Sequence, residues 1–217
     1  QCAATVVALK VPQESTAHYV RIVGTSSEYL ASEASSTVAT MLMTTRGLSQ
    51  ADSGSMLYAP VFKRKYPTHA TQSRTTEAFV HNVTGSTINV LATFYGSGGT
   101  CPSPNTYQVY SGNIAALASY RFVYPSGVPD GCLASATFEV GGDGSITGVV
   151  NEAYLDPTPG SGVQSATAYF MMKVDAGALR LLAPLYKEWS GNKTSGLQVQ
   201  NAGTASTNIH VEFKTPD

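Results

Sequence analysis

The chain has 217 residues, of which only 12% are charged, and its formal net charge is −1 at pH 7. So small a net charge produces no field that would attract nucleic acid or an anionic membrane surface. No apolar run approaches the ~20 residues that a membrane-spanning helix requires. We therefore expect no nucleic acid partner and no membrane insertion, while the 42% of hydrophobic residues is enough for a substantial core.

Short runs of Val, Ile, Thr, Tyr and Phe, separated by Gly, Pro, Asn and Ser, recur along the chain and predict an all-β protein. In the first part of the chain the strand candidates are residues 3–11, 17–23 and 37–45, and only 27–39 resembles a short helix. The later candidates have a spacing that favours antiparallel sandwiches. They are residues 78–82, 87–94, 107–110, 118–123, 134–140, 146–154, 166–174, 197–201 and 207–213.

Two of these strands, 87–94 and 207–213, alternate apolar and polar residues, as half-buried strands do. Each follows a turn that contains Asn and Gly, at 82–86 and 201–205. Such turns are typical of β-hairpins, so we predict hairpins at 78–94 and 197–213, and a further one around 141–145. The residues expected on the buried faces are Ile88, Val90, Ala92 and Phe94 in the first hairpin and Ile209, Val211 and Phe213 in the second.

A motif of seven residues occurs twice. Residues 57–63 read Leu-Tyr-Ala-Pro-Val-Phe-Lys, and residues 181–187 read Leu-Leu-Ala-Pro-Leu-Tyr-Lys. After loops of different length, the two copies continue without gaps at an offset of 119 residues, as far as Phe94 and Phe213. A repeat of this period predicts two domains of ordinary size.

We divide the chain into a complete β-sandwich, residues 57–180, and two parts of a second one. Residues 181–217 resemble the first part of the complete domain, and residues 1–56 resemble its later part. If the two ends are joined, Cys2 falls within about one position of the place of Cys101, and residues 29–34 echo residues 132–136. The predicted fold class is therefore all-β, with two Ig-like β-sandwich domains, one of which is split between the two ends of the chain.

The split domain can be completed in three ways. The two ends of one chain can meet, the end of one subunit can be completed by the start of the next, or the chain can be a piece of a longer tandem array. The second arrangement is heterologous and propagates into a filament. Its junctions would combine a shared core with strand pairing.

Three cysteines and two sequons carry candidate modifications. Cys101 and Cys132 flank a loop-rich region, and we predict a disulfide between them, with two unlinked buried thiols as the alternative. Cys2 would then be left over. Asn82 and Asn192 each begin an Asn-x-Thr triplet and are possible glycosylation sites.

The sequence contains no pattern that predicts catalysis, a metal or a cofactor. The four histidines have no metal-ligand spacing, and we expect His81 and His210 to be solvated. A calcium or glycosidase site would need Glu139, Asp143, Glu152 and Asp156 to converge, whereas turn and surface roles are the simpler interpretation. The basic run 63–65 is interpreted as a solvated loop rather than a binding site for an acidic partner.

The motif Leu-x-Ala-Pro-x-[Phe/Tyr]-Lys, followed by Val-x-Asn and Asn-[Val/Ile]-x-[Ala/Val]-x-Phe, resembles a β-sandwich repeat of large secreted bacterial surface proteins. Residues 196–201, Gly-Leu-Gln-Val-Gln-Asn, are the most similar segment, and residues 119–122 and 148–152 resemble later strands of the same unit. The resemblance covers most of 57–217 and extends more loosely to residues 1–56. It implies a role in surface structure or adhesion and identifies no active site. Ala59 and Ala183 stand where the family more often has Pro or another apolar residue.

The leading hypothesis is a non-enzymatic subunit of an extracellular filament, pilus-like polymer or surface layer, which assembles head-to-tail with copies of itself. The alternative is an adhesin or carbohydrate-binding module of a longer surface protein, with glycans as partners. A hydrolase is a third and weaker reading, because no nucleophile–base arrangement is visible. The residues predicted at the assembly interface are Ala3, Thr5, Val7, Leu9 and Val11 on one side and Leu197, Val199, Ile209, Val211 and Phe213 on the other.

Overall fold

The computed structural model describes residues 33–35, 42–44, 48, 50–69, 72–101, 106–155, 163–179, 181 and 197–213. Within these residues the chain forms twelve strands and no α-helix. The strands are β1 (Glu33–Ser35), β2 (Leu42–Thr44), β3 (Met56–Arg64), β4 (Tyr66–His69), β5 (Gln72–Asn82), β6 (Val90–Gly99), β7 (Thr106–Tyr110), β8 (Ser119–Phe122), β9 (Cys132–Val140), β10 (Ile146–Leu155), β11 (Val163–Phe170) and β12 (Met172–Lys173). Two short 3-10 turns lie at Gln50–Asp52 and Val174–Ala176.

Ten strands form two antiparallel five-stranded sheets that enclose one core. Sheet I has the order β11-β10-β5-β4, and β8 also pairs with β5. Sheet II has the order β12-β3-β9-β6-β7. Their buried inner residues alternate with outward ones, as in other sandwiches. The all-β class is thus confirmed, and one sandwich is built from residues 56–173.

The inner faces of the two sheets meet in a cluster of aromatic rings. Phe62 of β3 lies against Phe94 of β6 with ring centroids 5.0 Å apart, and against Tyr124 at 5.1 Å. Phe138 of β9 contacts Phe122 of β8, from the opposite sheet, at 5.2 Å. These edge-on contacts are the arrangement that aromatic pairs prefer. Burial raises the pKa of Tyr124 well above its usual range, so its hydroxyl stays protonated and donates to the Phe62 carbonyl at 2.6 Å.

The alternation predicted for residues 87–94 is confirmed, but the hairpins are not. Val90, Ala92 and Phe94 are fully buried. However, β5 lies in sheet I and β6 in sheet II, and β9 and β10 are divided in the same way. The turns at 82–86 and 141–145 therefore connect the two sheets. Turn residues encode the reversal of the chain, while sheet membership depends on strands that are distant in sequence.

The part of the chain before residue 48 is described only as a small sheet in which β1 pairs with β2. Residues 33–35 form β1, so this part of the weak helix candidate 27–39 is a strand. This pairing differs from that of β9, the suggested equivalent of the region, because β9 lies between β3 and β6. Several sequence predictions lie outside the described residues, namely those at Cys2, Ala3, Thr5, Val7, Leu9, Val11, Asp156 and Asn192.

A disulfide joins Cys101 and Cys132, whose Cα atoms lie 4.8 Å apart. It links the loop after β6 to the start of β9, and both residues are buried. The closed loop spans 31 residues.

We predict that replacing both cysteines with alanine lowers the free energy of unfolding by about 3–4 kcal/mol, because the closed loop restricts the unfolded chain. Denaturant unfolding, followed by far-UV circular dichroism, measures this change. Reductant should destabilise the wild-type protein and leave the double variant unaffected. Equal stability of the wild type and the double variant without reductant would contradict the prediction.

Candidate assembly surface

Residues 197–213, here called the C-terminal segment, contain the second copy of the β5–turn–β6 sequence. None of these residues belongs to a strand. Their large apolar side chains are nonetheless strongly exposed. The exposed fractions are 46% for Leu197, 43% for Val199, 56% for Ile209, 45% for Val211 and 65% for Phe213.

The turn of the C-terminal segment has the same hydrogen bonds as the turn of the sandwich. Asn82 Nδ2 donates to the Ser86 carbonyl at 2.7 Å, and the Thr84 amide donates to Asn82 Oδ1 at 2.9 Å. At an offset of 119 residues, Asn201 Nδ2 donates to the Ala205 carbonyl at 2.7 Å. The Gly203 amide donates to Asn201 Oδ1 at 2.9 Å. Both copies therefore form the same local structure, an Asx turn.

The two copies differ in what surrounds this turn. In the first copy the equivalents of the exposed apolar residues have no solvent exposure at all. They are Ala78, Val80, Val90, Ala92 and Phe94. Burial of a Val or Leu side chain is worth roughly 1.5–3 kcal/mol relative to exposure. The C-terminal segment therefore has the sequence of a sandwich core without the burial that such a core provides.

The first residue of the seven-residue motif, which precedes the C-terminal segment in the second copy, shows the same contrast. Leu57 begins the first copy in β3 and is fully buried, whereas Leu181 begins the second copy and is 67% exposed. Scattered exposed apolar residues are normal on proteins. Here, however, six exposed residues occupy positions whose equivalents are fully buried, so they are informative as a set.

Asn82 is held by the sandwich as well as by its turn. It is fully buried, and its Nδ2 lies 3.2 Å from the Ile114 carbonyl and 3.0 Å from the Ala115 carbonyl. A glycan on this nitrogen would have to displace these contacts. The geometry therefore argues against modification of Asn82 in the folded protein, although the residue begins a sequon.

Several ionisable side chains of the sandwich form ion pairs with one another. Glu152 of β10 is buried and lies 2.8 Å from Lys63 Nζ of β3, so the pair connects the two sheets, and Arg74 Nη1 lies 2.7 Å from the same carboxylate. Asp130 binds Arg64 and Lys65, and these cations lower the pKa of its carboxyl group. The basic run 63–65 thus faces carboxylates of its own chain and presents no uncompensated patch for an acidic partner.

The remaining candidate residues within the described parts of the chain do not form a cluster. Glu139 is exposed, and the described residues contain no group of three or more His, Cys, Asp or Glu that could hold a metal ion. The expectation for His81 is wrong, because its side chain is buried and its Nδ1 lies 3.1 Å from Ser119 Oγ of β8. His210 is exposed, as predicted. No helix of the described parts is long and apolar enough to cross a membrane.

A shallow depression of about 440 Å³ lies between the turns that follow β5 and β9. Its wall contains one carboxylate, that of Asp143, and no aromatic ring. The lining residues are Ser86, Thr87, Ile88, Asn89, Gly141, Asp143 and Gly144. It therefore lacks the aromatic platform on which many sugar-binding sites stack a pyranose ring.

Comparison with known proteins identifies no family. No protein-family model matches the sequence, and no curated protein matches it. Among solved structures, the crystal structure of Thermotoga maritima 1070 aligns with 54% of this chain and 90% of its own chain, at 11% sequence identity and a TM-score of 0.40. So low a similarity carries no functional argument.

We predict that Asn82→Ala lowers the free energy of unfolding by about 2–4 kcal/mol, because it removes a fully buried side chain together with its hydrogen bonds to the Ser86, Ile114 and Ala115 carbonyls. Asn201→Ala is the matched control, since Asn201 makes the same turn but is exposed. We expect this variant to stay within about 0.5 kcal/mol of the wild type. Denaturant unfolding measures both, and similar losses in the two variants would refute the distinction between the copies.

Proposed function

We propose that this protein is a structural subunit of an extracellular polymer, a filament or surface layer, in which copies of the chain join head-to-tail by strand complementation. The observation that carries the proposal is the exposure of the C-terminal segment at positions whose equivalents form the core of the sandwich. A strand with one apolar face gains stability when a sheet and an opposing layer cover that face.

The sandwich indicates which strands would cover the C-terminal segment. The equivalent of 207–213 is β6, which lies between β7 and β9. The equivalent of 197–201 is the end of β5, which pairs with β8 and β10. A partner must therefore supply a strand equivalent to β7 on one edge and further strands on the other.

The start of another copy fits the place of β7. In the sandwich, β7 follows Cys101 by a few residues and pairs antiparallel with β6. Residues 3–11 also follow a cysteine, Cys2, and are rich in residues that favour strands, so that in an extended strand Ala3, Thr5, Val7, Leu9 and Val11 would share one face. Strand addition of this type gains backbone hydrogen bonds for affinity and side-chain pockets for specificity. Because donor and acceptor are different segments of the chain, the contact is heterologous and can propagate from subunit to subunit.

The disulfide and the low charge agree with an extracellular location. Disulfides persist in oxidising compartments, and Cys101 and Cys132 form one within the sandwich. A subunit with a net charge of −1 also meets little electrostatic repulsion when copies pack against each other.

We predict that Val211→Asp reduces the polymer mass to about a tenth of the wild-type value or less, because a carboxylate would enter an apolar interior without a partner. Val123→Asp is the control, since Val123 has the same exposure of 45% but lies outside the C-terminal segment. Negative-stain imaging and light scattering of the purified subunits measure the polymer. If Val211→Asp formed polymers like those of the wild type, the proposed role of the apolar residues of the C-terminal segment in assembly would be contradicted.

Deletion of residues 1–11 tests the donor side. We predict a soluble, folded subunit that forms no polymer by itself, because the strand that replaces β7 is missing. Cys2→Ser separates the loss of the strand from the loss of the thiol. Addition of a peptide with the sequence of residues 3–11 should cap the wild-type subunit and shorten its polymers, and a truncated subunit that assembles normally would exclude this donor.

The alternative is an adhesin or carbohydrate-binding module. The polar depression beside Asn89 and Asp143 is the feature that favours it. A protein that remains monomeric at high concentration and binds immobilised glycans, with loss of binding in Asp143→Ala, would support this function over assembly.

A further inference from the structure

The C-terminal segment lies against the outer face of sheet II of its own chain. Leu57 and Ala59 point into the core, so Tyr58 between them points outward. Tyr58 Oη donates to the Ala202 carbonyl at 3.3 Å, and Gln200 Nε2 donates to the Ala136 carbonyl of β9 at 3.4 Å. Both bonds are longer than the usual hydrogen bonds of proteins, so each of them contributes little to holding the segment.

This contact also leaves one polar atom unsatisfied. Gln200 Oε1 is buried and accepts no hydrogen bond from the described residues. A buried acceptor without a donor is destabilising. In the first copy, the equivalent of Gln200 is His81, which is also buried but has Ser119 Oγ of β8 within 3.1 Å. A partner that supplies the equivalent of β8 would offer a group at this place.

The observed contact and the complemented arrangement exclude each other. In the sandwich, the equivalents of residues 200–201 are buried between β8 and β10. The backbone N–H of Asn82 donates to the Ala118 carbonyl at 2.9 Å. A C-terminal segment surrounded in this way by strands of a neighbour has no room for the outer face of its own sheet II.

We propose, in an inference that rests on the proposed function, that the outer face of sheet II is an autoinhibitory docking site for the chain's own C-terminal segment. This intramolecular contact keeps a free subunit from assembling until the segment is released. The occupant is residues 200–202, held through Tyr58 and the Ala136 carbonyl. The segment thus has two alternative partners, its own sheet and a neighbouring subunit. The rate of assembly depends on how often the first contact opens.

A disulfide designed from the structure can lock the C-terminal segment in its docked position on sheet II. A Cβ atom built on Gly177 lies 3.9 Å from Ala202 Cβ, which is within the range for bonded cysteines. In a Cys2→Ser background, we expect Gly177→Cys with Ala202→Cys to oxidise to an intramolecular disulfide. The oxidised subunit should assemble at least about tenfold more slowly than the same protein after mild reduction. Gly127→Cys with Ala202→Cys is the control that should not cross-link, because no atom lies within 4 Å of the Cβ position at Gly127.

Weakening the contact should have the opposite effect. Tyr58→Phe keeps the ring and removes the donor to Ala202, and loss of one such bond shifts an equilibrium by about two- to fivefold. We expect assembly to accelerate by about this factor with an unchanged final polymer mass, while Tyr110→Phe, a change of an exposed tyrosine of the same sheet, leaves the rate unaltered.

The outcomes separate this inference from the proposed function. If the designed pair cross-links no better than the control pair, the intramolecular contact between the C-terminal segment and sheet II does not exist. If the locked subunit assembles as fast as the reduced one, the contact does not restrain assembly. The proposed function is then still tested independently by the Val211→Asp variant. If the Cys2→Ser parent and the wild type form no polymer at all, both proposals fail.

Discussion

The burial of one apolar face per strand is the constraint on which the rest of this structure depends. Val80 and Val90 stand on either side of one Asx turn, and both are fully buried because the turn carries the chain from sheet I to sheet II. The two strands then face the same core from opposite sheets. Neither strand would be stable in that conformation alone, since the covering residues come from β9, β10 and the aromatic cluster.

The second copy separates what is encoded locally from what is not. Asn201 forms the same two turn hydrogen bonds as Asn82, so the turn needs only its own sequence. The contacts of Asn82 with the Ile114 and Ala115 carbonyls come from the chain beyond β7, and the C-terminal segment has no such contacts among the described residues. A preformed turn lowers the conformational entropy that a segment loses when it docks, and this would favour the strand addition that we propose.

The sequence predicted those features that depend on neighbours along the chain. The alternation of Val90, Ala92 and Phe94 is visible because side chains in a strand alternate with a period of two. The hairpin prediction was wrong because the residues at the turn do not determine which sheet receives the next strand. The burial of His81 was missed because Ser119, which lies beside it, is 38 positions away. The Lys63–Glu152 pair joins two sheets in the same non-local way, and nothing in either local sequence signals it.

The repeat explains why a surface with no chemical signature can still be interpreted. Exposed apolar residues are common on proteins and carry little information one at a time. Leu197, Val199 and Ile209 are informative because each has a counterpart in the same chain whose environment is known, and that environment is a closed core. The internal copy is therefore the reference for the C-terminal segment. Under the proposed function, it specifies the strands that a partner would supply, the edge on which each would pair, and the place at which Gln200 would meet a polar group. A partner that buried these residues without those strands would leave the backbone groups of 197–213 unpaired in an apolar environment, which is the costlier arrangement.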